Sequence, residues 1–342
     1  MKCLVTGGTG FLGRHLVRHL TGEGHAVRVL ARKEALSLER EGAEVVQGDV
    51  LDPASLAAAS AGVEVVFHLA GRVAHKGEPT DLFELHVEGT RNALRAAREA
   101  GAGRFVHMST SGTIAVSKDP ARVTTEDAPY AVETVRRWPY YLSKIYAEKV
   151  ALEADLPVVV VNPSLLLGPD DEGLGSSQVI LRFLRRELPA VPPGGINFVD
   201  VRDAAAATAA AATQGRPGER YLLGGPNMTL DAFFVLLSKV SGVPAPAMRA
   251  AAALNDAAAA VLGALEDVGG FSGDESVAYA MGGHTWYLDA RKAHKELGFR
   301  ARSPEVTLRD AVAWVRSRGP IPTEEGTFGS LFRGVQRVLG RV

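Results

Sequence analysis

Residues 6–13, Thr-Gly-Gly-Thr-Gly-Phe-Leu-Gly, follow directly on a short apolar run and lead into an amphipathic helical pattern. The glycines of this stretch allow a tight turn, a close approach of the backbone to phosphate, and tight packing of a helix on a strand. The start of a helix also presents free N–H groups and a positive dipole end to an anion. The stretch therefore predicts a loop that binds the pyrophosphate of a dinucleotide. Its expected contacts are Gly7, Thr9, Gly10, Phe11, Leu12 and Gly13.

This loop stands at the head of a regular alternation of strand-like and helix-like segments. Buried strands are predicted at residues 3–6, 26–30, 44–47, 63–69, 104–109 and 158–162. Helical patterns lie between them, at residues 13–22, 55–60, 88–100 and 140–154. Such alternation is typical of right-handed βαβ units around a parallel sheet. We therefore expect an α/β fold of the Rossmann type, a doubly wound parallel sheet with ligands beyond the carboxyl ends of its strands.

The second half of the chain follows a less regular pattern of Pro- and Gly-rich turns and shorter helices. We predict an NADP(H)-binding domain over residues 1–165, with its sheet completed by parts of residues 197–226. A smaller, interleaved substrate-binding lobe is predicted over residues 166–320. Residues 321–342 are expected to form a linker and a short C-terminal helix with one apolar face and an arginine-rich face. This helix would pack against the body or a partner subunit, with contact to a membrane surface as the alternative.

Composition narrows the possible partners and the compartment. The chain has 342 residues and a net charge of -1, which argues against a broad nucleic-acid footprint. Its one cysteine, Cys3, excludes an intramolecular disulfide and favours a reducing compartment. The sequence has neither a signal-peptide pattern at its start nor a long apolar run typical of a membrane span. We expect a cytoplasmic protein that binds a small molecule, with no metal site and no integral membrane segment.

The end of the second predicted strand indicates which dinucleotide to expect. An NAD site usually places an acidic residue there to hold the ribose hydroxyls, whereas this chain has Arg32 and Lys33. A guanidinium offers a planar donor fork that suits a 2′-phosphate, and the lysine adds positive charge. We therefore expect NADP(H) as the preferred cofactor, with NAD(H) possible. An exposed basic turn is the alternative interpretation.

Two further strand ends supply expected cofactor contacts. Asp49 and Val50 follow the third run, and the Asp49 carboxylate either reaches the adenine or caps the next helix. Leu69, Ala70 and Gly71 follow the fourth run, where small residues let the ribose and phosphate lie against the backbone.

The spacing Tyr140-x-x-x-Lys144 lies in a helical pattern that begins after Pro139. Positions i and i+4 share one helix face, so both side chains are expected to point the same way. A free phenol has a pKa near ~10, and a nearby ammonium favours its ionised form. Tyr140 is therefore the expected proton donor or acceptor at a substrate oxygen, with Lys144 supporting it and holding the nicotinamide ribose.

Hydroxyl groups at two more strand ends complete the predicted site. Ser111 follows the fifth run, where its hydroxyl can orient the reacting oxygen. Ser109 precedes it and is expected to hold backbone or cofactor. Pro163 and Ser164 end the sixth run and would wall the nicotinamide, although a simple strand-ending turn is the alternative.

Together these motifs resemble the extended short-chain dehydrogenase/reductases, the NAD-dependent epimerase/dehydratase family, over nearly the whole chain. Other stretches that carry the resemblance are residues 87–90 (Val-Glu-Gly-Thr), 198–204 (Phe-Val-Asp-Val-Arg-Asp-Ala) and 293–299 (Ala-His-Lys-Glu-Leu-Gly-Phe). Arg32 and residues 162–168 look most like dihydroflavonol-4-reductase-like and 3β-hydroxysteroid-dehydrogenase-like enzymes, and like a hopanoid-associated sugar-epimerase subgroup. The resemblance implies ketone reduction, alcohol oxidation or epimerisation. It also implies a possible homodimer formed through the helices at residues 88–100 and 140–154.

The apolar character of the second half favours a hydrophobic substrate. A nucleotide-sugar enzyme needs cations for a pyrophosphate, and Arg182, Arg185 and Arg186 have the spacing of a solvated helix face. Our leading hypothesis is therefore NAD(P)H-dependent reduction of a ketone, or oxidation of the alcohol, on a hydrophobic or polyketide-like molecule. A sugar-nucleotide epimerase or dehydratase is the first alternative. A non-catalytic NADP-binding regulatory protein is the second.

Overall fold

The structure of the chain is a computed structural model that describes residues 1–73, 79–252 and 274–321, together with Asn255 and Ala257. Its centre is a seven-stranded, wholly parallel sheet in the order β11-β6-β5-β4-β1-β2-β3. The strands of this sheet are β1 Lys2–Thr6, β2 Ala26–Ala31, β3 Glu44–Gln47, β4 Val65–His68, β5 Arg104–Met108, β6 Val158–Pro163 and β11 Arg220–Leu223. The predicted doubly wound α/β fold is confirmed, and each of the six predicted strands is present to within two residues at either end.

In the part of the chain that the structure describes, six shorter strands lie outside the central sheet and form three two-stranded pairs. They are β7 Leu165–Leu167, β8 Ala190–Val191, β9 Gly195–Ile196, β10 Phe198–Asp200, β12 Met228–Thr229 and β13 Met248–Arg249. The pairs are β7 with β10, β8 with β13, and β9 with β12. They belong to the smaller C-terminal part, whose domain boundaries stay a prediction.

Helices cover both faces of the central sheet. The helices are α1 Phe11–Gly22, α2 Leu36–Arg40, α3 Pro53–Ser60, α4 Pro79–Phe83, α5 Gly89–Glu99, α6 Val132–Val135, α7 Pro139–Leu152, α8 Gln178–Leu184, α9 Val201–Gln214, α10 Leu230–Ser241, α11 Asp274–Gly282, α12 Arg291–Glu296 and α13 Pro304–Ser317. A π-helical turn, Glu84–Glu88, joins α4 to α5, and a 3-10 turn, Ser111–Thr113, follows β5.

Alternating side chains of the strands build two core layers. In β1, Cys3 and Val5 pack with residues of α1 and α9, whereas Leu4 packs on the opposite face with residues of α3 and α5. Every one of these three side chains is fully buried. This two-sided burial explains why the strands are continuous apolar runs rather than alternating ones. It also leaves only the carboxyl ends of the strands free to carry polar, functional residues.

A third core layer stabilises the C-terminal part. Phe183 of α8, Phe233 of α10 and Leu308 of α13 pack together against the short strands β7 and β10. Among the residues that the structure describes, no helix is long and apolar enough to cross a membrane. The predicted C-terminal helix lies outside the described residues.

Candidate active site

The glycine-rich loop between β1 and α1 adopts the geometry that its sequence predicts. Gly7 has φ +71, and a Cβ added to it would lie 2.6 Å from the carbonyl carbon of Leu69. A Cβ on Gly13 would lie 2.1 Å from the Gly7 carbonyl oxygen. The N-cap residue of α1 is Gly10, with no side-chain hydrogen bond to the first turn. The first N–H groups of α1 are therefore left to an anion such as a pyrophosphate.

A cleft of about 670 Å³ runs from this loop across the carboxyl ends of the parallel strands. Its size is typical of clefts that bind small molecules. The structure brings together along it all but one of the predicted site residues. Those in its lining are Gly7, Thr9, Gly10, Phe11, Leu12, Gly13, Arg32, Asp49, Val50, Leu69, Ala70, Gly71, Ser109, Ser111, Tyr140, Lys144, Pro163 and Ser164. The exception is Lys33, which is exposed beside Arg32 and outside the lining.

At the β2–β3 end of the cleft, the positions of Arg32 and Asp49 suit the adenosine half of a dinucleotide. Arg32 directly follows β2 and is exposed to solvent. The Asp49 carboxylate accepts a hydrogen bond from the Leu51 N–H, with its Oδ1 3.0 Å from that nitrogen. The residue that caps α3 is Asp52, which accepts hydrogen bonds from two backbone N–H groups of its first turn. Asp49 thus faces the cleft without serving as the helix cap.

At the other end of the cleft, Tyr140 and Lys144 project from the first two turns of α7. The Lys144 Nζ donates a hydrogen bond to the Met108 carbonyl oxygen at 2.5 Å. Burial lowers the Lys144 pKa to about 8, and the Glu148 carboxylate opposes this shift. Burial also raises the Tyr140 pKa to about 12, so the phenol holds its proton near neutral pH.

The turn after β5 brings three hydroxyl residues to the cleft. Ser111 is buried in the cleft lining at the start of the 3-10 turn. Thr110 caps this turn by accepting a hydrogen bond from the Gly112 N–H at 3.3 Å. The Ser109 hydroxyl instead donates to the buried carboxylate of Glu148. Ser109 therefore lines the cleft with its backbone, and its hydroxyl links the turn to the buried Glu148 carboxylate.

Beyond β6, Pro163 and Ser164 form part of the wall next to the reacting end. The Ser164 hydroxyl oxygen is buried and has no hydrogen-bond partner among the described residues. A buried polar atom in this state favours a bound ligand that completes its hydrogen bonding. This unpartnered hydroxyl, the close backbone approach at Gly7 and the uncapped start of α1 together show that the cleft fits a nicotinamide dinucleotide.

No sequence pattern indicates a role for His86, which lies in the π-helical turn and in the cleft lining. Its Nε2 accepts a hydrogen bond from the Arg72 N–H at 3.0 Å, so its proton must be on Nδ1. Nδ1 lies 2.8 Å from the Ser143 hydroxyl, which donates in turn to the Tyr140 carbonyl oxygen at 2.8 Å. Burial lowers the His86 pKa to about 3. The neutral His86 imidazole thus connects the segment after β4, through the Arg72 N–H, to α7, which carries Tyr140.

A second buried histidine, His68, is a core residue with both ring nitrogens hydrogen-bonded. Its Nδ1 lies 2.9 Å from the Thr6 hydroxyl and its Nε2 lies 3.2 Å from the Thr90 hydroxyl. Thr90 donates to the His86 carbonyl oxygen at 2.6 Å, and Thr6 accepts from the Ala70 N–H at 3.3 Å. His68 therefore joins the phosphate loop to the π-helical turn.

Sequence analysis did not predict the pairing of two aromatic residues that forms a wall at the far end of the cleft. The rings of Tyr141 and Trp286 lie 5.3 Å apart, and both line the cleft with Met281. A Cβ on Gly112 would lie only 2.2 Å from the Tyr141 ring, so this glycine is needed for the close packing. Tyr141 and Trp286 are 145 positions apart in the chain, and no local pattern indicates that they meet.

A doubly wound sheet with a glycine-rich phosphate loop and a Tyr–Lys pair at the end of the cleft defines the class of dinucleotide-dependent oxidoreductases. More specifically, the chain belongs to the NAD-dependent epimerase/dehydratase family, whose family model matches residues 3–224. It is accordingly an NAD(P)-dependent oxidoreductase of the short-chain dehydrogenase/reductase type, as the sequence predicted.

Individual relatives extend this likeness over most of the chain. A protein of Synechocystis sp. with the provisional name dihydroflavonol 4-reductase is 36% identical over 338 residues, covering 94% of this chain and 96% of the relative. The 4-hydroxy-2-methyl-3-oxo-4-farnesyl-3,4-dihydroquinoline-1-oxide ketoreductase of Stigmatella aurantiaca is 29% identical over 343 residues, covering 94% and 97%. The crystal structure of gox2253 has a TM-score of 0.82 and 32% identity, and covers 94% of this chain and 99% of that one.

Proposed function

We propose that the protein reduces a ketone carbonyl on a hydrophobic small molecule at the expense of NADPH. A nicotinamide held along the Pro163–Ser164 wall would supply the hydride to the carbonyl carbon. Tyr140 donates its phenolic proton to the carbonyl oxygen, and the Ser111 hydroxyl holds that oxygen by a hydrogen bond. Lys144, one turn further along the same helix face, would hold the ribose hydroxyls and supply positive charge near the phenol.

The protonation states of Tyr140 and Lys144 are the ones that the reduction step requires. Burial keeps the Tyr140 pKa at about 12, so the phenol enters the reaction as an acid. The Lys144 pKa of about 8 leaves this residue mostly charged at neutral pH, which stabilises the phenolate left after proton transfer. Once the phenolate has formed, Tyr140 recovers its proton readily because its pKa is so high.

The position of Arg32 supports NADPH over NADH. Its guanidinium directly follows β2 and lines the adenosine end of the cleft, where a 2′-phosphate would lie. A guanidinium binds phosphate through two parallel hydrogen bonds, whereas a carboxylate at this place would repel it. Lys33 lies outside the cleft lining, so Arg32 carries the proposed preference.

The apolar far end of the cleft is the observation that carries the substrate assignment. Its lining there includes Leu165, Leu166, Ile196 and the rings of Tyr141 and Trp286. The cations among the described residues of the cleft lining are Arg32 at the adenosine end, Arg72 after β4, and Lys144, which the proposed reaction uses. Arg182 and Arg185 instead lie 4.0 and 3.7 Å from the Glu187 carboxylate, outside the cleft lining.

A sugar nucleotide needs cations to compensate its pyrophosphate, whereas a hydrophobic ketone gains from apolar walls. The lining therefore favours the hydrophobic ketone over the sugar nucleotide. Val261, Leu262 and Phe271 contribute to the apolar character of the second half of the sequence, and they lie outside the described residues.

A substrate survey tests the proposal. Purified protein is mixed with NADPH or NADH and with aromatic, alicyclic and long-chain 3-oxo ketones, or with sugar nucleotides, and the nicotinamide absorbance is followed. We expect NADPH to be consumed one for one with a hydrophobic ketone, and more slowly with NADH. Conversion of a sugar nucleotide without net cofactor consumption would instead establish an epimerase. Tight NADPH binding with no turnover of any substrate would indicate a cofactor-binding regulatory protein.

Variants of Trp286 separate the substrate assignment from the chemistry. Removing the ring in Trp286→Ala should lower kcat/KM for a bulky apolar ketone by about 10- to 100-fold, since buried aromatic area is lost. Trp286→Phe should retain most of the activity, and the Kd for NADPH should be unchanged in both variants. Equal kcat/KM values for Trp286→Ala and the wild type would contradict the proposed substrate position.

A further inference from the structure

The carboxylate of Glu148 is a buried charge that the proposed reaction does not use directly. Its side chain is fully buried in the described structure. A buried carboxylate is costly unless it is paired and hydrogen-bonded. Its Oε2 accepts hydrogen bonds from the Ser109 hydroxyl, from the Thr113 hydroxyl at 3.2 Å and from the Asn162 amide at 2.9 Å. Its Oε1 lies 2.9 Å from Nε of Arg220.

Each donor to Oε2 lies beside a residue of the proposed site. Ser109 and Thr113 flank Ser111, two positions away on either side. Asn162 directly precedes Pro163, which forms part of the cleft wall. One carboxylate oxygen therefore links the turn after β5 to the end of β6, two segments that must hold a fixed distance for the substrate oxygen and the cofactor to meet.

Glu148 also continues the face of α7 that carries the two reactive residues. Tyr140, Lys144 and Glu148 follow one another at intervals of four positions, so all three point the same way. The negative charge of Glu148 raises the Lys144 pKa against the larger effect of burial. It is the anion that acts on Lys144 from its own helix.

Besides Tyr140, the titratable groups near Lys144 in the described part of the chain include three buried histidines. His68 of β4, His86 of the π-helical turn and His107 of β5 are each kept neutral by burial, and the charge of Lys144 lowers their pKa values further. They supply no negative charge to stabilise the ammonium. The guanidinium of Arg220 faces Glu148 from the edge strand β11 and offsets part of its charge.

We propose that Glu148 is a positioning residue for the reduction, holding Ser111 and the Pro163 wall in register with Tyr140 and keeping the Lys144 side chain charged. This inference rests on the proposed function above. Glu148 does not touch substrate or cofactor in this role. It acts through the residues that it contacts, Ser109, Thr113 and Asn162.

Glu148→Gln is the first test, because it keeps the shape and removes the charge. An amide has one acceptor oxygen and brings two new N–H donors, so it cannot both accept from the three donors to Oε2 and replace the ion pair with Arg220. We expect kcat to fall about 10- to 100-fold, since small misplacements of reacting groups have effects of this size, with little change in the Kd for NADPH. Glu153→Gln, an exposed residue at the end of the same helix, is the matched control and should leave kcat unchanged.

A charge-balanced variant separates positioning from simple stability. Glu148→Gln leaves Arg220 without its carboxylate, whereas Glu148→Gln combined with Arg220→Met removes the whole ion pair. Replacing a buried pair by uncharged side chains is often neutral for stability. We expect the double variant to regain much of the free energy of unfolding while its kcat stays low. Wild-type kcat in the double variant would overturn the proposal and leave Glu148 a structural residue.

The charge of Lys144 can be measured without turnover. A lysine whose pKa falls from about 10.5 to about 8 on folding makes the free energy of unfolding rise with pH between those values, because the unfolded chain holds the extra proton. Denaturant unfolding from pH 6 to 10, compared with the same series in Lys144→Met, isolates this contribution. In Glu148→Gln its onset should move about one pH unit lower, since the opposite charge is gone.

The two readouts fail in different ways. Absence of ketone reduction by the wild-type protein would overturn the proposed function, and the unfolding series would still show whether Glu148 acts on Lys144. An unchanged onset in Glu148→Gln, together with normal wild-type turnover, would overturn the electrostatic part of the proposal alone. Where Glu148→Gln does not fold, Ser109→Ala and Thr113→Val remove single donors to Oε2 and should each lower kcat with the NADPH Kd preserved.

Discussion

The ammonium group of Lys144 lies 2.5 Å from the carbonyl oxygen of Met108, the last residue of β5. This hydrogen bond ties the helix that carries the reactive side chains to the strand that leads into Ser111. It also fixes the direction of a long, flexible side chain that is only 6% exposed. The other N–H donors of the ammonium have no partner among the described residues, so they can hold cofactor hydroxyls or support a phenolate.

Tyr140→Phe should lower kcat by about 10²- to 10⁴-fold, because it removes the proton donor and leaves the ring packing intact. NADPH binding, measured by fluorescence titration, should change little. Tyr146→Phe is the matched control on the same helix, where the side chain is 46% exposed. Substantial turnover by Tyr140→Phe would mean that another group donates the proton.

Gly13→Ala should abolish NADPH binding or prevent folding. The added methyl group would lie 2.1 Å from the Gly7 carbonyl oxygen, and this contact involves backbone that cannot move aside cheaply. Gly22→Ala lies at the end of the same helix with nothing within 4 Å, and it should bind NADPH normally with equal or slightly higher stability. Thermal unfolding and cofactor titration of the two variants give the comparison, and normal binding by Gly13→Ala would contradict the assigned loop.

Arg32→Ala should raise the KM for NADPH about 10- to 100-fold and leave the KM for NADH nearly unchanged, because a charge-assisted phosphate contact is lost. Lys33→Ala, the neighbouring exposed cation outside the cleft lining, should alter the NADPH/NADH ratio far less. Steady-state kinetics with both cofactors measure the ratio. A larger effect at Lys33 than at Arg32 would reverse the assignment.

Stability should fall in mild acid. Burial lowers the pKa of His68 and of His86 from 6.5 to about 3, so between these values the unfolded chain binds protons that the folded chain rejects. The free energy of unfolding therefore rises with pH across this window. The stability that the two neutral histidines contribute is lost progressively as the pH falls below about 6.5. Each histidine should contribute a loss of about 2 kcal/mol at pH 5 relative to neutral pH.

Urea denaturation at pH 5 and pH 7.5 measures this loss. His86→Asn removes one of these buried titrating histidines and retains an amide that can donate to the Ser143 hydroxyl. Its acid-dependent loss should be smaller than that of the wild type. An equal loss in both proteins would show that other groups, such as carboxylates, govern the acid response.

Much of the fold and of the candidate site was predictable because the relevant signals are local. Apolar runs and helical periodicity located six strands of the central sheet. The interval of four positions put Tyr140 and Lys144 on one helix face, and the glycine spacing located the phosphate loop. In each case the physical cause, a backbone repeat or a steric limit, acts within a few neighbouring residues.

What the sequence by itself determined is therefore the sheet, the loop that receives a dinucleotide and the shared helix face of the Tyr–Lys pair to which we assign proton transfer. Only the tertiary structure decided that Tyr141 meets Trp286, which is 145 positions away, and that Arg32 and not Lys33 lines the cleft. It also decided that Glu148 links α7 to the segment after β5, to β6 and to β11. These relationships depend on how separate elements pack against one another. The burial that results then shifts the pKa values of groups such as Tyr140 and Lys144. A local pattern fixes which way a side chain points from its own element, but the other elements decide what it meets.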